Sequence, residues 1–217
     1  MKQPILIISI LVTAVWGCQE NQEERIKRTE DKYFDVSKYK GNINTDGRMV
    51  VSEINKVFED MYTKAIEEHG LLGAIDYCGD HAFDVLDSLG HYYGVGLKRT
   101  SLKYRSPENA PDSLDYAILN NMKDLGEQGV DVTPMSMKFA GGDGIFYAPI
   151  KMKSMCLPCH GMKLRGDIKD EVWKKIRERY PDDKSYDFNL NEMVGVWGVY
   201  FPAEYRARKG SVDIPKM

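Results

Sequence analysis

Met135-Ser136-Met137-Lys138-Phe139-Ala140-Gly141-Gly142-Asp143-Gly144-Ile145-Phe146-Tyr147-Ala148-Pro149-Ile150 reads as a β-hairpin. Two strand-like segments, Met135 to Phe139 and Ile145 to Ile150, flank a loop of Ala140, Gly141, Gly142, Asp143 and Gly144. That loop is rich in residues that tolerate positive φ, which tight hairpin turns require. Downstream, Asp170 to Tyr180 has the pattern of a short amphipathic helix stopped by Pro181, and Val194 to Phe201 alternates as a final strand. Upstream, Pro111-Asp112 opens a predicted helix to about Leu125, with Leu114, Ile118, Leu119 and Met122 facing inward. Val95 to Tyr104 suits a strand, and Arg105 to Pro111 a loop. Two earlier helices are predicted. One runs from Arg48 to His69, with apolar residues at helical spacing from Val50 to Ile66 and a stop at Gly70. The other runs from Leu71 to Leu89, broken at Gly90 to Gly96. Gly41 to Gly47 reads as a turn-rich break. Helices first and antiparallel strands later make an α+β domain.

The 217 residues suffice for one domain with a sizeable core but are short for two. Charged residues make up 29% and hydrophobic residues 42%, with a formal net charge of -3. There is no excess of Lys and Arg, which argues against a nucleic-acid partner. The N-terminus reads as an export signal. Lys2 supplies a positive n-region, Pro4 to Trp16 is an uncharged apolar run too short to span a bilayer comfortably, and Val15-Trp16-Gly17-Cys18 resembles a lipobox. The expected division is a lipoprotein signal peptide over 1–17, a polar tether and charged arm over 18–47, and a single domain over 48–217. Lipidation at Cys18 would tie the chain to a membrane of the bacterial cell envelope, facing the periplasm or the exterior.

Cys156-Leu157-Pro158-Cys159-His160 carries the chemistry. Two thiols at this spacing can add to the two vinyl groups of one haem, and the following His then lies beneath the iron as proximal ligand. A thioredoxin-like pair would sit between a strand and a helix of a βαβ unit near the start of its domain, unlike this one. Half of a zinc site would need a second Cys or His pair, which the sequence lacks. With Cys18 assigned to lipid and Cys156 and Cys159 to haem, Cys78 is left alone and no disulfide is needed. The sixth iron position stays open on the residues alone. His69, His81, His91, Met152, Met155 and Met162 are available, and Cys78 also reads as a small hydrophobe on an apolar helix face.

Four ordered blocks resemble one bacterial family of single-haem c-type domains, first described in a cyanobacterial protein and found in sensor regions of signalling proteins. They are Ala74-Ile75-Asp76-Tyr77-Cys78; Lys98-Arg99-Thr100-Ser101-Leu102-Lys103-Tyr104-Arg105-Ser106-Pro107-Glu108-Asn109-Ala110-Pro111-Asp112; Tyr147-Ala148-Pro149-Ile150 leading to Cys156-Leu157-Pro158-Cys159-His160-Gly161; and Tyr180-Pro181-Asp182-Asp183. The resemblance covers roughly Arg48 to Pro202. It implies a PAS-like antiparallel sheet with flanking helices, one covalent haem c, and Cys78 as the second axial ligand opposite His160. The chain departs from the family pattern at Ser106, at Leu114 and at Ser185-Tyr186-Asp187. Arg99, Lys103 and Arg105 are candidates to face the haem propionates, because guanidinium pairs with carboxylate in a bidentate way; a solvated loop is the alternative. Asn109 and Asp112 are expected to shape the loop and cap the next helix.

A His/Cys-ligated iron has no vacant position, so small-molecule chemistry would require Cys78 to leave. The expected function is a haem-binding redox or gas-sensing module that signals through a protein partner. The alternative is an electron-transfer cytochrome at the membrane surface. A peroxidase-like enzyme ranks third, because no paired acid and base stand out near the CxxCH segment.

Overall fold

The computed structural model describes residues 42–203. The signal peptide, the lipobox with Cys18, most of the tether and the last residues of the chain lie outside the described residues. Helix α1 spans Ile43–Tyr93 and is interrupted at Gly70, whose φ of 67° and ψ of 175° are not helical. Only glycine reaches that conformation without a Cβ penalty, so the predicted stop there holds, although the chain resumes its helix at once. The helix begins five residues before the predicted Arg48. Asn42 caps it by accepting from the Asn44 and Thr45 amides, and Ile43 and Gly47 are buried. The turn-rich reading of Gly41 to Gly47 is thereby corrected for 43–47: an N-cap Asn outweighed the local turn chemistry. The predicted break at Gly90 also moves. α1 continues to Tyr93 and ends in a left-handed Gly94, with Val95 N bonded to Gly90 O at 3.0 Å.

Strand β1 (Gly96–Thr100) follows, then a 3-10 turn at Pro107–Asn109 and helix α2 (Ser113–Glu127). Asp112 caps α2 reciprocally with Asp115, as its position predicted. β2 (Met135–Lys138) and β3 (Gly144–Lys151) form the predicted hairpin. A 3-10 turn and the single-turn helix α3 (Leu157–His160) carry the CxxCH segment. α4 (Asp170–Arg179) and β4 (Met193–Phe201) complete the described order. The sheet is antiparallel throughout, in the order β1-β4-β3-β2.

Side chains alternate across this sheet, which decides where everything else sits. Phe146, Ala148, Trp197, Val199 and Phe201 pack against α1. Ile145, Tyr147 and Val196 face the other way, onto Ile118, Leu119 and Met122 of α2. Burying chains such as Phe146 or Ile54 contributes roughly 1.5–3 kcal/mol each. A third cluster joins Ile75 of α1 and Cys159 of α3 to Ile168, Val172 and Ile176 around α4. The result is an α+β, PAS-like domain, a sheet with helices on both faces. Among the described residues no helix is long and apolar enough to cross a membrane.

Candidate functional site

The alternation of β1 sends two adjacent cations to opposite faces of the sheet. Lys98 goes toward α2, where its Nζ lies 2.6 Å from buried Asp115, itself accepting from Tyr147 Oη at 2.7 Å. Arg99, one residue on and paired across the ladder with Trp197, goes toward α1. There the sheet and both halves of α1 line an open-mouthed cavity of about 1240 Å³, above the ~300–1,000 Å³ of most small-molecule sites.

Cys78, Cys156, Cys159 and His160 all line this cavity, with Arg99, Lys103 and Arg105. The three cysteines are free thiols. Burial pushes all three up in pKa; the Arg99 charge partly opposes this at Cys78. Of the other residues considered for the sixth position, Met152 and Met155 reach the wall, as does Met61, whereas His69, His81, His91 and Met162 do not. His69 and His81 are exposed and stack on Tyr77, at ring separations of 5.5 and 4.4 Å.

Tertiary bonds hold the two walls in register. Gly79, next to Cys78, lets α1 approach Arg179 and Tyr180, which a Cβ there would strike. Arg179 then bonds Asp80 at 2.6 Å and pairs with Asp76 at 3.3 Å, and Lys175 pairs with Asp76 at 2.7 Å. Thus the residues on either side of Cys78 are clamped to α4, against which α3 also packs.

A ring of polar contacts runs behind the CxxCH segment. Arg105 donates to the Cys159 carbonyl at 2.7 Å and pairs with buried Asp183 at 3.3 Å. Asp183 accepts from the Ser185 amide at 2.8 Å, and the Ser185 carbonyl lies 2.7 Å from His160 Nδ1. Burial foremost, then the Arg105 charge, holds the His160 imidazole well below the usual histidine range. The ring is therefore neutral at pH 7, Nδ1–H donates to Ser185, and Nε2 keeps a free lone pair.

Arg99 rests its guanidinium against the rings of Phe58 at 5.6 Å and Trp197 at 5.8 Å. It has no acceptor among the described residues, and burial together with the Arg105 charge disfavours its charged form. Arg105 Nε is likewise buried without a partner. Two cations with unused donors on one wall suit an anionic occupant. Lys103 is otherwise engaged: it donates to the Tyr186 carbonyl and lies over the Phe188 ring at 4.3 Å.

Sequence reasoning assigned no role to Asp183, Ser185 or Tyr62. Asp183 sits in the Tyr-Pro-Asp-Asp block and Ser185 in a stretch that departs from the family pattern. Tyr62 reads only as one more apolar position of the first helix, yet its hydroxyl is buried in the cavity wall without a partner among the described residues.

An α+β, PAS-like domain with a CxxCH segment and a facing cysteine on one cavity is what the fold and site define. The chain belongs to the Tll0287-like family, whose family model matches residues 22–202. A solved structure described as the cyanobacterial heme-protein Tll0287 superimposes with a TM-score of 0.57 at 20% identity, covering 77% of this chain and 100% of that one. No curated protein matches the sequence.

Proposed function

We propose that this protein binds one haem c covalently and works as a redox or gas-sensing module at the bacterial cell envelope. The observation that carries the reading is the convergence of Cys78, Cys156, Cys159 and His160 on a single large cavity that Arg99 and Arg105 also line, with Arg105 Nε unpartnered among the described residues. The cavity's size, its free thiol pair and its unused guanidinium donors all fit a flat, dianionic porphyrin. Cys156 and Cys159 would bond the vinyl carbons, His160 Nε2 and the Cys78 sulfur would ligate the iron, and Arg99 and Arg105 would hold the propionates. Bound haem supplies one-electron chemistry, with thiolate donation favouring the ferric state. The protein's own part is to exclude water with the α1 and sheet walls, to orient His160 through Ser185, and to hold Cys78 through the clamp on Asp76 and Asp80.

Membership of the Tll0287-like family and the fold shared with a structure named as a heme-protein support this reading. In this proposal the protein is not an enzyme. It is anchored by lipid on Cys18, and its signal or electron passes to a protein partner. Electron transfer as a simple carrier is the neighbouring possibility.

The deciding experiment is a ferric and ferrous absorption spectrum of protein matured with haem-attachment machinery, before and after acid-organic extraction. The expected result is one haem per chain, retained on denaturation and lost in the Cys156→Ala, Cys159→Ala double variant. Extractable haem would refute covalent attachment. Metabolic labelling with a fatty-acid analogue tests the anchor: label on the wild type and none on Cys18→Ala is expected, and equal labelling overturns it.

A further inference from the structure

Hydroxyls near the cavity mostly staple the backbone. Thr100 Oγ1 donates to the Asn109 carbonyl at 3.1 Å, and Ser101 Oγ to the Val194 carbonyl at 2.5 Å. Ser185 differs. The loop around it is held without its side chain: the Lys184 amide donates to the Tyr104 carbonyl at 3.1 Å, the Ser185 amide to Asp183 Oδ1 at 2.8 Å, and Lys103 Nζ to the Tyr186 carbonyl. Further on, the Asp187 and Phe188 amides donate to the carbonyls of Gly161 and His160 at 3.0 and 3.1 Å, and Asp187 Oδ1 accepts from the Lys163 amide at 2.9 Å. The Ser185 hydroxyl is left to another contact: its oxygen lies 3.0 Å from His160 Nδ1.

The Ser185 carbonyl lies 2.7 Å from the same nitrogen. A carbonyl cannot donate, so Nδ1 carries the proton, and the hydroxyl oxygen beside it becomes a second acceptor for that one N–H. The two acceptors are not equivalent. Arg105 Nη2 also donates to the Ser185 carbonyl, at 3.4 Å, so that oxygen divides its lone pairs between a cation and the imidazole. The hydroxyl oxygen has no such competitor among the described residues. Ser185 and His160 line the cavity together.

We propose that Ser185 is a positioning residue for His160 through its side chain: the hydroxyl takes a share of the Nδ1–H bond and makes the imidazole a stronger donor to the iron. The inference rests on haem attachment and His160 ligation as proposed above. An acceptor on the outer N–H of a ligating histidine raises the basicity of the ring. A more basic ligand favours ferric iron, so the hydroxyl lowers the reduction potential. Two acceptors on one residue also restrict the plane in which the ring can lie.

The test compares haem-loaded, full-length wild type, Ser185→Ala and Ser185→Thr. Ser185→Ala removes the hydroxyl but keeps the carbonyl and every loop bond described above. It is expected to shift the ferric/ferrous equilibrium about threefold toward ferrous, a rise of ~28 mV for one electron. In isotope-labelled ferrous protein, the His160 Nδ1–H proton should exchange with solvent severalfold faster. Ser185→Thr restores a hydroxyl and should return both readings to wild type, which a loss of loop packing would not do. Wild-type potential and exchange in Ser185→Ala would overturn the inference, as would a shift in Ser185→Ala that Ser185→Thr fails to reverse. The wild-type spectrum reports on the ligation itself, because a ring bound to ferrous low-spin iron has its protons moved far upfield by the porphyrin. With His160 so shifted and Ser185→Ala unchanged, the ligation stands and the Ser185 inference falls alone. With the His160 ring protons unshifted, the ligation fails and the inference falls with it.

Discussion

His160 Nδ1 and the Ser185 carbonyl oxygen lie 2.7 Å apart, and that contact joins the CxxCH segment to a loop 25 residues further along the chain. It fixes one tautomer of a neutral imidazole and leaves Nε2 with its lone pair. Ser185 is held by Asp183, and Asp183 by Arg105, which reaches back to the carbonyl of Cys159. The ring closes on the segment it supports.

Asp183→Ala opens that ring. It leaves a poorly exposed Arg105 cation without its carboxylate, a change worth ~3 kcal/mol or more for a buried pair. The expected result is a lower urea midpoint together with a heterogeneous ferric spectrum, because His160 loses its fixed orientation. A variant that loses stability but keeps a homogeneous low-spin spectrum would restrict Asp183 to a structural role.

Cys78→Ser tests the riskiest ligand assignment. A serine hydroxyl is a poor iron ligand, so the ferric spectrum should turn largely high-spin or water-ligated. The potential should rise, and carbon monoxide or imidazole should bind more readily. Covalent haem should remain, because His160, Cys156 and Cys159 are untouched. A folded variant with the wild-type low-spin spectrum would move the assignment to Met61, Met152 or Met155, which share the cavity.

Arg99→Met distinguishes an anion-binding cation from an aromatic-stacking one. With haem in place, losing charge-assisted bonds to a propionate should cost ~1.5–3 kcal/mol in chemical denaturation. In the Cys156→Ala, Cys159→Ala background the same substitution should cost nothing or stabilise, because it removes a half-buried cation that lacks an acceptor among the described residues. Equal losses in both backgrounds would assign the role of Arg99 to its contacts with Phe58 and Trp197.

Alkaline pH should destabilise the fold. Burial, and at Tyr147 the bond to Asp115 as well, raises the phenols of Tyr147 and Tyr93 above the ordinary value of 10.0, Tyr93 to about 12. Raised groups keep their full contribution below the unfolded value and lose it above, because only the unfolded chain then ionises. Without haem, urea midpoints should begin to fall near pH 9.0, where the raised thiols of Cys78, Cys156 and Cys159 ionise in the unfolded chain, and fall further from about pH 10 to 12. Tyr93→Phe should make that fall shallower; an unaltered slope would exclude Tyr93 from the effect.

Much of this was legible locally. Apolar spacing located the helices, the glycine-rich loop located the hairpin, and Asp112 its cap, because each signal lies within a few residues of its effect. The errors at 43–47 and Gly90 came from the same reliance. Glycines that suggested breaks are accommodated inside α1, where Gly47 receives the Phe146 ring and Gly90 the Val95 carbonyl.

The CxxCH spacing suggested the proposed haem attachment without a fold, since five consecutive residues would contain the whole attachment unit. Cys78 was named through resemblance, and its helix face alone left it a plain core residue. The cavity, the choice of Arg99 over Lys98 to face it, and the Arg105–Asp183–Ser185–His160 ring belong to the folded state. Strand alternation turned Lys98 toward α2 and Arg99 toward α1, and which face would hold a cavity depended on how α1 bends at Gly70 and packs. Most of the ring's bonds join residues tens of positions apart, 54 for Arg105 and Cys159 and 25 for Ser185 and His160, although Asp183 and Ser185 are near neighbours. Periodicity reports on neighbours along the chain, whereas hydrogen bonds across such separations arise only once packing has brought the segments together.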